Sequence, residues 1–145
     1  MHSKVGIFPG VVRLYGANLT VPPRYIVLEL AFGSLHDALH KRNPVIDLSL
    51  PSKLSLLAQL CATMAAIAGL GIFHRDIKSS NVLLFVGSNG TLVVKLADFG
   101  LTRMSHESTT GATPKGTLPY MVPELFDGKI TISRLLNNYL TYGCV

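Results

Sequence analysis

The amino-acid sequence predicts an α+β fold, and three of its features lead to this prediction. Runs of β-type residues separated by turn signals occur near the N-terminus and again after residue 80. Between them, residues 54–73 form an apolar stretch long enough for a helix that packs in a core. With 48% hydrophobic and only 14% charged residues, the 145-residue chain is expected to fold rather than to be disordered.

The first elements follow from the positions of proline and glycine. Residues 11–19 and 25–30 are predicted as two β-strands, and Pro22 and Pro23 predict a turn between them because proline cannot donate to a strand ladder. Residues 34–41 are predicted as a short helix, which Asn43 and Pro44 end.

The long apolar stretch is predicted as a helix that begins near Pro51, with Ser52 as its N-cap, and ends at residues 69–71. Its length of about 20 apolar residues also matches a membrane span. Ser55, Gln59 and Thr63 interrupt its apolar character. We therefore expect a helix buried inside a domain, and a small membrane protein that spans residues 54–73 is the alternative.

A hairpin is predicted next, because the β-type runs "NVLLFV" and "TLVVKLA" flank the sequence "GSNG". Asn89 and Gly90 are typical of a tight turn between two antiparallel strands. Folding this hairpin brings its open ends together. The sequence thus predicts that Asn81 lies near Asp98.

Charge and cysteine content narrow the class of function. The net charge of +5 comes from scattered Lys and Arg residues, so neither nucleic acid nor a membrane surface is expected as a partner. Cys61 and Cys144 lie far apart and fit a reducing, intracellular compartment, and we expect a cytoplasmic protein. His36 and His40 have helical spacing and could bind a metal together, although a solvated helix face is the favoured interpretation.

Four polar residues form a set with a common chemistry. Asn81 and Asp98 offer hard oxygen atoms, which suit Mg²⁺ that bridges phosphates. Asp76 could accept a proton from an attacking hydroxyl, and Lys78 would neutralise phosphate charge beside it. An isolated Asp or Asn at a strand end is usually a cap or turn residue. Together the four residues are the parts that phosphoryl transfer requires.

The motifs "HRDIKSSN" (74–81), "DFG" (98–100) and "VPE" (122–124) resemble the catalytic core of a eukaryotic protein kinase. Lys78 follows the serine/threonine pattern, and "GSL" and "GTLPYM" resemble the tyrosine-kinase-like group. The resemblance covers residues 11–128 and implies a partial kinase domain, mostly the helical C-terminal lobe with a remnant of the N-lobe sheet. It places a hinge at about 25–35, a catalytic loop at 74–81 and an activation segment at 98–124.

The resemblance also implies roles for single residues, with ATP as substrate and Mg²⁺ as cofactor. Asp76 and Lys78 would be catalytic and Asn81 and Asp98 would bind the metal, as the chemistry above also suggests. The remaining implied residues are Leu28 as gatekeeper, Glu29 and Ala31 as backbone partners of the base, Leu83 as its apolar floor, Thr117 in the substrate loop, and Arg75 with Thr113 in regulation. Thr109 and Thr110 are alternatives to Thr113 as an activating phosphorylation site.

The sequence departs from the kinase pattern at both ends. Ahead of residue 11 it has neither a GxGxxG loop nor a lysine in a VAIK-like strand, which leaves the first two strands as an isolated hairpin. Asn138 stands where the family has a structural aspartate. We therefore expect a fragment, a truncated product or an incomplete gene model. Its partners would be a Ser/Thr protein substrate and an upstream activating kinase, and the alternative function is that of an inactive pseudokinase or scaffold.

Overall fold

The fold is described from a computed structural model, which describes residues 8–41 and 48–104. Its element order is strands first, then helices, then strands again, as an α+β fold requires. The strands form three small antiparallel sheets. The predictions for Thr113, Thr117, the "VPE" motif and Asn138 lie outside the described residues.

The N-terminal hairpin consists of β1 (Leu14–Asn18) and β2 (Tyr25–Leu28). Both strands are shorter than the sequence predicts. The turn between them is stabilised by Asn18, whose side-chain amide donates to the Val21 and Pro23 carbonyl oxygens at 2.8 and 3.1 Å. All four residues of β2 are exposed.

This hairpin is not isolated, contrary to the expectation from the sequence. The residues just before β1 pair with the strand β6 (Leu92–Leu96), where Val11 and Leu96 form a parallel bridge. The Val12 amide donates to the Leu96 carbonyl at 3.0 Å, and the Leu96 amide donates to the Gly10 carbonyl at 2.8 Å. Val11 and Val12 are fully buried, so the entry to β1 belongs to the core.

The chain then forms the short strand β3 (Gly33–Ser34) and the helix α1 (Leu35–His40). Ser34 caps the helix, because its hydroxyl accepts a hydrogen bond from the Asp37 amide at 3.1 Å. β3 pairs with β5 (Val82–Val86), which places the start of α1 beside the central hairpin. The predicted helix is confirmed with bounds one residue shorter at each end.

The long helix α2 spans Leu50–Gly69, and its N-cap is Ser49. The prediction that Ser52 is the N-cap is wrong. Pro51 lies within the first turn, where its missing N–H costs no helical hydrogen bond, so the helix begins before it. The expectation of a buried helix holds for one face only, since Leu56, Thr63 and Ile67 are its buried residues.

Within the described residues, α2 is also the one helix that is long and apolar enough to cross a membrane. Length and composition alone give this result, and the core helix of a soluble protein passes the same test.

The predicted central hairpin is confirmed as β5 and β6, paired from Val82 opposite Leu96 to Val86 opposite Leu92. Gly90 has a φ of 77°, and its amide donates to the Gly87 carbonyl at 2.9 Å. This is the left-handed position that the sequence Asn-Gly indicates. The short strands β4 (Ile72–Phe73) and β7 (Arg103–Met104) pair beside it.

The hydrophobic core lies between α2, β5 and β6. Its buried members are Val11, Leu56, Ile67, Ile72, Val82, Leu84, Val94, Leu96 and Phe99. Four strand residues, Val82, Leu84, Val94 and Leu96, come from one face of the hairpin, as the two-residue period of a strand requires. The segments before β5 and after β6, which carry the polar motifs, leave this rigid unit at the same end.

Candidate active site

His74 anchors the polar segment that precedes β5. It is 4% exposed, and its Nε2 atom lies 2.8 Å from the Ala97 carbonyl oxygen, which can only accept. Nε2 therefore carries the proton, and Nδ1 accepts a hydrogen bond from the Asp76 amide at 3.3 Å. Burial lowers the pKa of His74 below its ordinary value. The neutral ring also packs edge-on against Phe99, with 4.7 Å between centroids.

Asp76, Lys78 and Asn81 form one connected cluster. The Asp76 side chain is buried, and its Oδ2 atom lies 2.8 Å from Lys78 Nζ. The same oxygen accepts from Asn81 Nδ2 at 3.0 Å, and that amide nitrogen also donates to the Asp76 carbonyl at 2.8 Å. A carboxylate that accepts from an ammonium and an amide has a fixed orientation. The cluster therefore holds the Asp76 carboxylate in one orientation, with the Lys78 ammonium beside it.

The hairpin brings Asn81 beside Ala97, the residue before Asp98, while the predicted nearness of Asn81 to Asp98 itself stays a prediction. The Ala97 amide donates to the Asn81 carbonyl at 2.9 Å, one pair beyond the end of the β5–β6 ladder. Asp98 follows directly and is exposed, with its Oδ1 atom accepting from the Gly100 amide at 3.2 Å.

These two residues fit the oxygen-ligand chemistry of Mg²⁺. The Asn81 amide nitrogen is turned toward Asp76, which leaves Oδ1 as the atom that Asn81 can offer to a cation. The Asp98 carboxylate is at the surface, and a carboxylate is likewise a hard oxygen ligand. Within the described ranges, no group of three His, Cys, Asp or Glu residues suited to a metal occurs.

Two residues of this region have left-handed backbone. Within the described part of the chain, Arg75 with a φ of 69° and Asp98 with a φ of 60° are the non-glycine residues with positive φ. Such conformations are strained for residues with a Cβ and persist where the surroundings hold them. Both residues flank the cluster, one before Asp76 and one after β6. Strain of this kind is typical of a functional site.

The predicted base-binding residues lie at the end of β2, between β2 and β3, and on β5. Leu28 ends β2, and the Glu29 amide donates to the Arg13 carbonyl at 3.0 Å. Past Ala31, the Phe32 amide donates to the Leu84 carbonyl at 2.9 Å. This bond brings the predicted hinge onto β5, where Leu83 is half-buried.

Two residues of this region have no separate role in the sequence prediction. One is His74, which stands between an apolar strand and Asp76, a position typical of a buried anchor. The other is Lys95. Its signal was a charge inside the otherwise apolar run "LVVKLA". The roles of the predicted site residues, and the division into hinge, catalytic loop and activation segment, remain predictions.

Comparison with known proteins gives a consistent result. A family model described as "Protein kinase domain" matches residues 1–144, a wider range than the motifs alone indicate. A Dictyostelium discoideum protein named "Probable serine/threonine-protein kinase" is 37% identical over 123 residues, which cover 83% of this chain and 13% of that protein. The serine/threonine-protein kinase STY46 of Arabidopsis thaliana is 33% identical over 120 residues, which cover 82% of this chain and 20% of that protein. The chain therefore spans at most a fifth of the length of these two relatives.

Proposed function

Because this chain belongs to the protein kinase family, we propose that it is part of a serine/threonine protein kinase. Such an enzyme transfers the γ-phosphate of ATP to a Ser or Thr hydroxyl of a protein substrate. The observation that carries the proposal is the cluster of Asp76, Lys78 and Asn81, which lies at the end of the hairpin that leads to Asp98.

Asp76 would orient the attacking hydroxyl and accept its proton. Two donors, Lys78 Nζ and Asn81 Nδ2, hold one of its carboxylate oxygens, so the group is positioned before a substrate binds. Lys78 is 25% exposed in its side chain, which lets its charge act on a phosphate as well as on Asp76. Mg²⁺ held by Asn81 and Asp98 would neutralise the charge of the phosphate oxygens.

The adenine base would bind between the hinge and β5. The carbonyl of Glu29 and the backbone of Ala31 would form its hydrogen bonds, Leu83 would contact one face of the ring, and Leu28 would limit the depth of the site. The pairing of Gly33 with Leu84 supports this arrangement, because it fixes the hinge beside Leu83.

Regulation by phosphorylation is a further part of the proposal. A phosphate on Thr113 would bind Arg75, which directly precedes the buried Asp76, and Thr117 would contact the substrate side of the cluster. Thr113→Ala is then expected to lower peptide phosphorylation by a kinase that contains the complete domain. Unchanged activity would contradict this part.

We also propose a cytoplasmic location, from the cysteine content alone.

The second candidate function is an inactive kinase-like module that regulates a partner kinase. The intact cluster around Asp76 favours the active enzyme.

A thermal-shift titration with Mg·ATP separates the two candidates. The active-site proposal predicts that Mg·ATP raises the Tm of the chain and that Asp98→Ala abolishes the shift. The control is Asp37→Asn, which removes a carboxylate from an exposed ion pair on α1 and should leave the shift intact. No shift in any of the three proteins favours the regulatory module. A shift that survives Asp98→Ala contradicts the assigned metal ligand.

A further inference from the structure

An ion pair joins the hinge to the strand that leads into the active site. Lys95 Nζ lies 2.7 Å from Glu29 Oε2, across a sequence separation of 66 residues. The Lys95 side chain is 22% exposed and that of Glu29 is 14% exposed, so both charges are largely removed from water. By contrast, the ion pair between Lys41 and Asp37 on α1 is 77% and 45% exposed. The Glu29–Lys95 pair is thus less exposed to water than the Lys41–Asp37 pair.

The second oxygen of Glu29 extends this connection to β1. Oε1 accepts a hydrogen bond from the Arg13 amide at 2.6 Å, while the Glu29 amide donates to the Arg13 carbonyl at 3.0 Å. One carboxylate therefore holds three segments: the entry to β1, the hinge and β6. Because both carboxylate oxygens are engaged, Glu29 cannot rotate without breaking at least one of these bonds.

The position of Lys95 places the pair beside the proposed nucleotide. Lys95 is opposite Leu83 in the β5–β6 register, and residues directly opposite each other extend from the same face of a sheet. Its ammonium also lies 4.7 Å from the centroid of the Phe85 ring, which belongs to that face. Lys95 is three residues before Asp98, which follows the end of β6. The pair therefore connects the hinge, the apolar floor and the approach to the metal ligand.

Stability alone does not account for such a pair. Removing two charges from water costs about as much as their attraction returns, so partly buried ion pairs contribute little net stability. Their charge complementarity does fix the relative position of the segments that they join. Here those segments carry the two ends of the proposed ATP site.

We propose that Glu29 and Lys95 form a positioning clamp, which holds the hinge in register with β6 and so sets the affinity for Mg·ATP. The affinity part of this inference rests on the proposed kinase function. The clamp itself is a property of the folded chain and can be measured without a nucleotide. Glu29 and Lys95 are positioning residues, since neither side chain is required to touch the substrate.

Amide hydrogen exchange of the chain without ligand tests the clamp. Lys95→Met keeps the aliphatic stem and removes the charge. It should speed exchange at the amides of Glu29, Leu96 and Ala97 relative to amides within α2. In Lys95→Arg, which keeps the positive charge, these amides should exchange at the wild-type rate. The control Lys41→Met, which removes the exposed pair on α1, should leave all three amides unchanged.

Two results would overturn the clamp. One is unchanged exchange at these amides in Lys95→Met. The other is an equal increase across all amides, α2 included, which would indicate a general loss of stability. If Lys95→Met alone does not fold, the double variant Glu29→Gln with Lys95→Met removes both charges and should still show the local increase.

Nucleotide titration of the same variants tests the affinity part. Lys95→Met should weaken Mg·ATP binding about tenfold, a typical coupling between linked sites, and Lys95→Arg should retain the wild-type Kd. Unchanged affinity in Lys95→Met overturns the role in nucleotide binding. If the wild type binds no Mg·ATP while the exchange result holds, the proposed kinase site fails for this chain and the clamp stands.

Discussion

At the scale of single residues, His74 makes the stability of the fold depend on pH. Burial lowers its pKa below the ordinary 6.5, and the neutral ring donates to Ala97 through Nε2 while it accepts from Asp76 through Nδ1. The unfolded chain binds a proton at this group near pH 6.5, whereas the folded chain does so only at lower pH. The free energy of unfolding is therefore expected to decrease as the pH falls below 6.5, by at most about 1.4 kcal/mol per pH unit from this group.

Denaturant unfolding at several pH values between 5 and 8 measures this dependence. His74→Gln keeps an amide donor for the Ala97 carbonyl and removes the titrating ring, so its unfolding free energy should vary less over this range. His36→Gln changes an exposed histidine of α1 and is the matched control. Equal pH dependence in the wild type and His74→Gln would show that another group is responsible.

Gly10 gives a second prediction at this scale, because α2 leaves no room for a side chain there. A Cβ at this position would lie 1.7 Å from Thr63 Oγ1. The Gly10 carbonyl accepts from the Leu96 amide, so the backbone cannot move away without loss of that bond. Gly10→Ala is expected to lower the free energy of unfolding by about 1–3 kcal/mol, as overpacking does.

Thermal and denaturant unfolding of paired glycine variants check this expectation. Gly16→Ala is the control, since a Cβ there meets nothing within 4 Å. Thr63→Ala should recover part of the loss in Gly10→Ala, because it removes the two atoms beyond Cβ that the new methyl group would contact. A Gly10→Ala chain as stable as Gly16→Ala would contradict the close approach of the two segments.

At the scale of elements, the side chain of Gln59 takes the place of a neighbouring strand for β6. Its Nε2 atom donates to the Leu92 carbonyl at 3.2 Å, and its Oε1 atom accepts from the Val94 amide at 3.1 Å. These two backbone groups lie on the edge of the sheet that β5 does not pair. The Gln59 side chain therefore provides hydrogen-bond partners for the edge of β6, which the apolar residues of α2 would otherwise cover without any partner.

Gln59→Met, which keeps the volume and removes both hydrogen bonds, should lower the free energy of unfolding by about 1–3 kcal/mol. The reason is that the Leu92 carbonyl and the Val94 amide would lose their partner beneath α2. Chemical denaturation measures the loss, with Lys53→Ala on an exposed turn of α2 as the control. A loss no greater than that of the control would mean that water replaces the side chain at this edge.

The elements also show which parts of the fold the sequence could predict. The β5–β6 hairpin and its Asn-Gly turn depend on neighbours in the chain, so local patterns identify them. The N-cap at Ser49 was missed because two serines flank Pro51 and either could begin a helix. The Glu29–Lys95 pair could not be predicted, since its partners are 66 residues apart and nothing local joins them. In the site, the cluster of Asp76, Lys78 and Asn81 was predicted as a set because its members lie within six residues.

At the scale of the whole molecule, α2 combines a packed face with an exposed apolar one. Leu56 and Ile67 belong to the core that it shares with the central hairpin. Leu54 and Leu57, by contrast, are 58% and 55% exposed. A bilayer is one apolar environment that such a face could contact.

We expect the chain not to insert into membranes. If α2 crossed a bilayer, Gln59 would lose its bonds to β6, and Leu56 and Ile67 would leave the core that orders the rest of the domain. Flotation of cell membranes on a density gradient after alkaline carbonate extraction tests this expectation. An inserted chain floats with the lipid, an aggregated chain sinks, and a folded chain stays in the supernatant. Leu57→Lys should not change the distribution of a chain outside the bilayer, whereas it should release an inserted one, because a lysine at the centre of a span costs about 2.5–3.5 kcal/mol. Flotation of the wild type, lost in Leu57→Lys, would contradict the packing of α2 against β6.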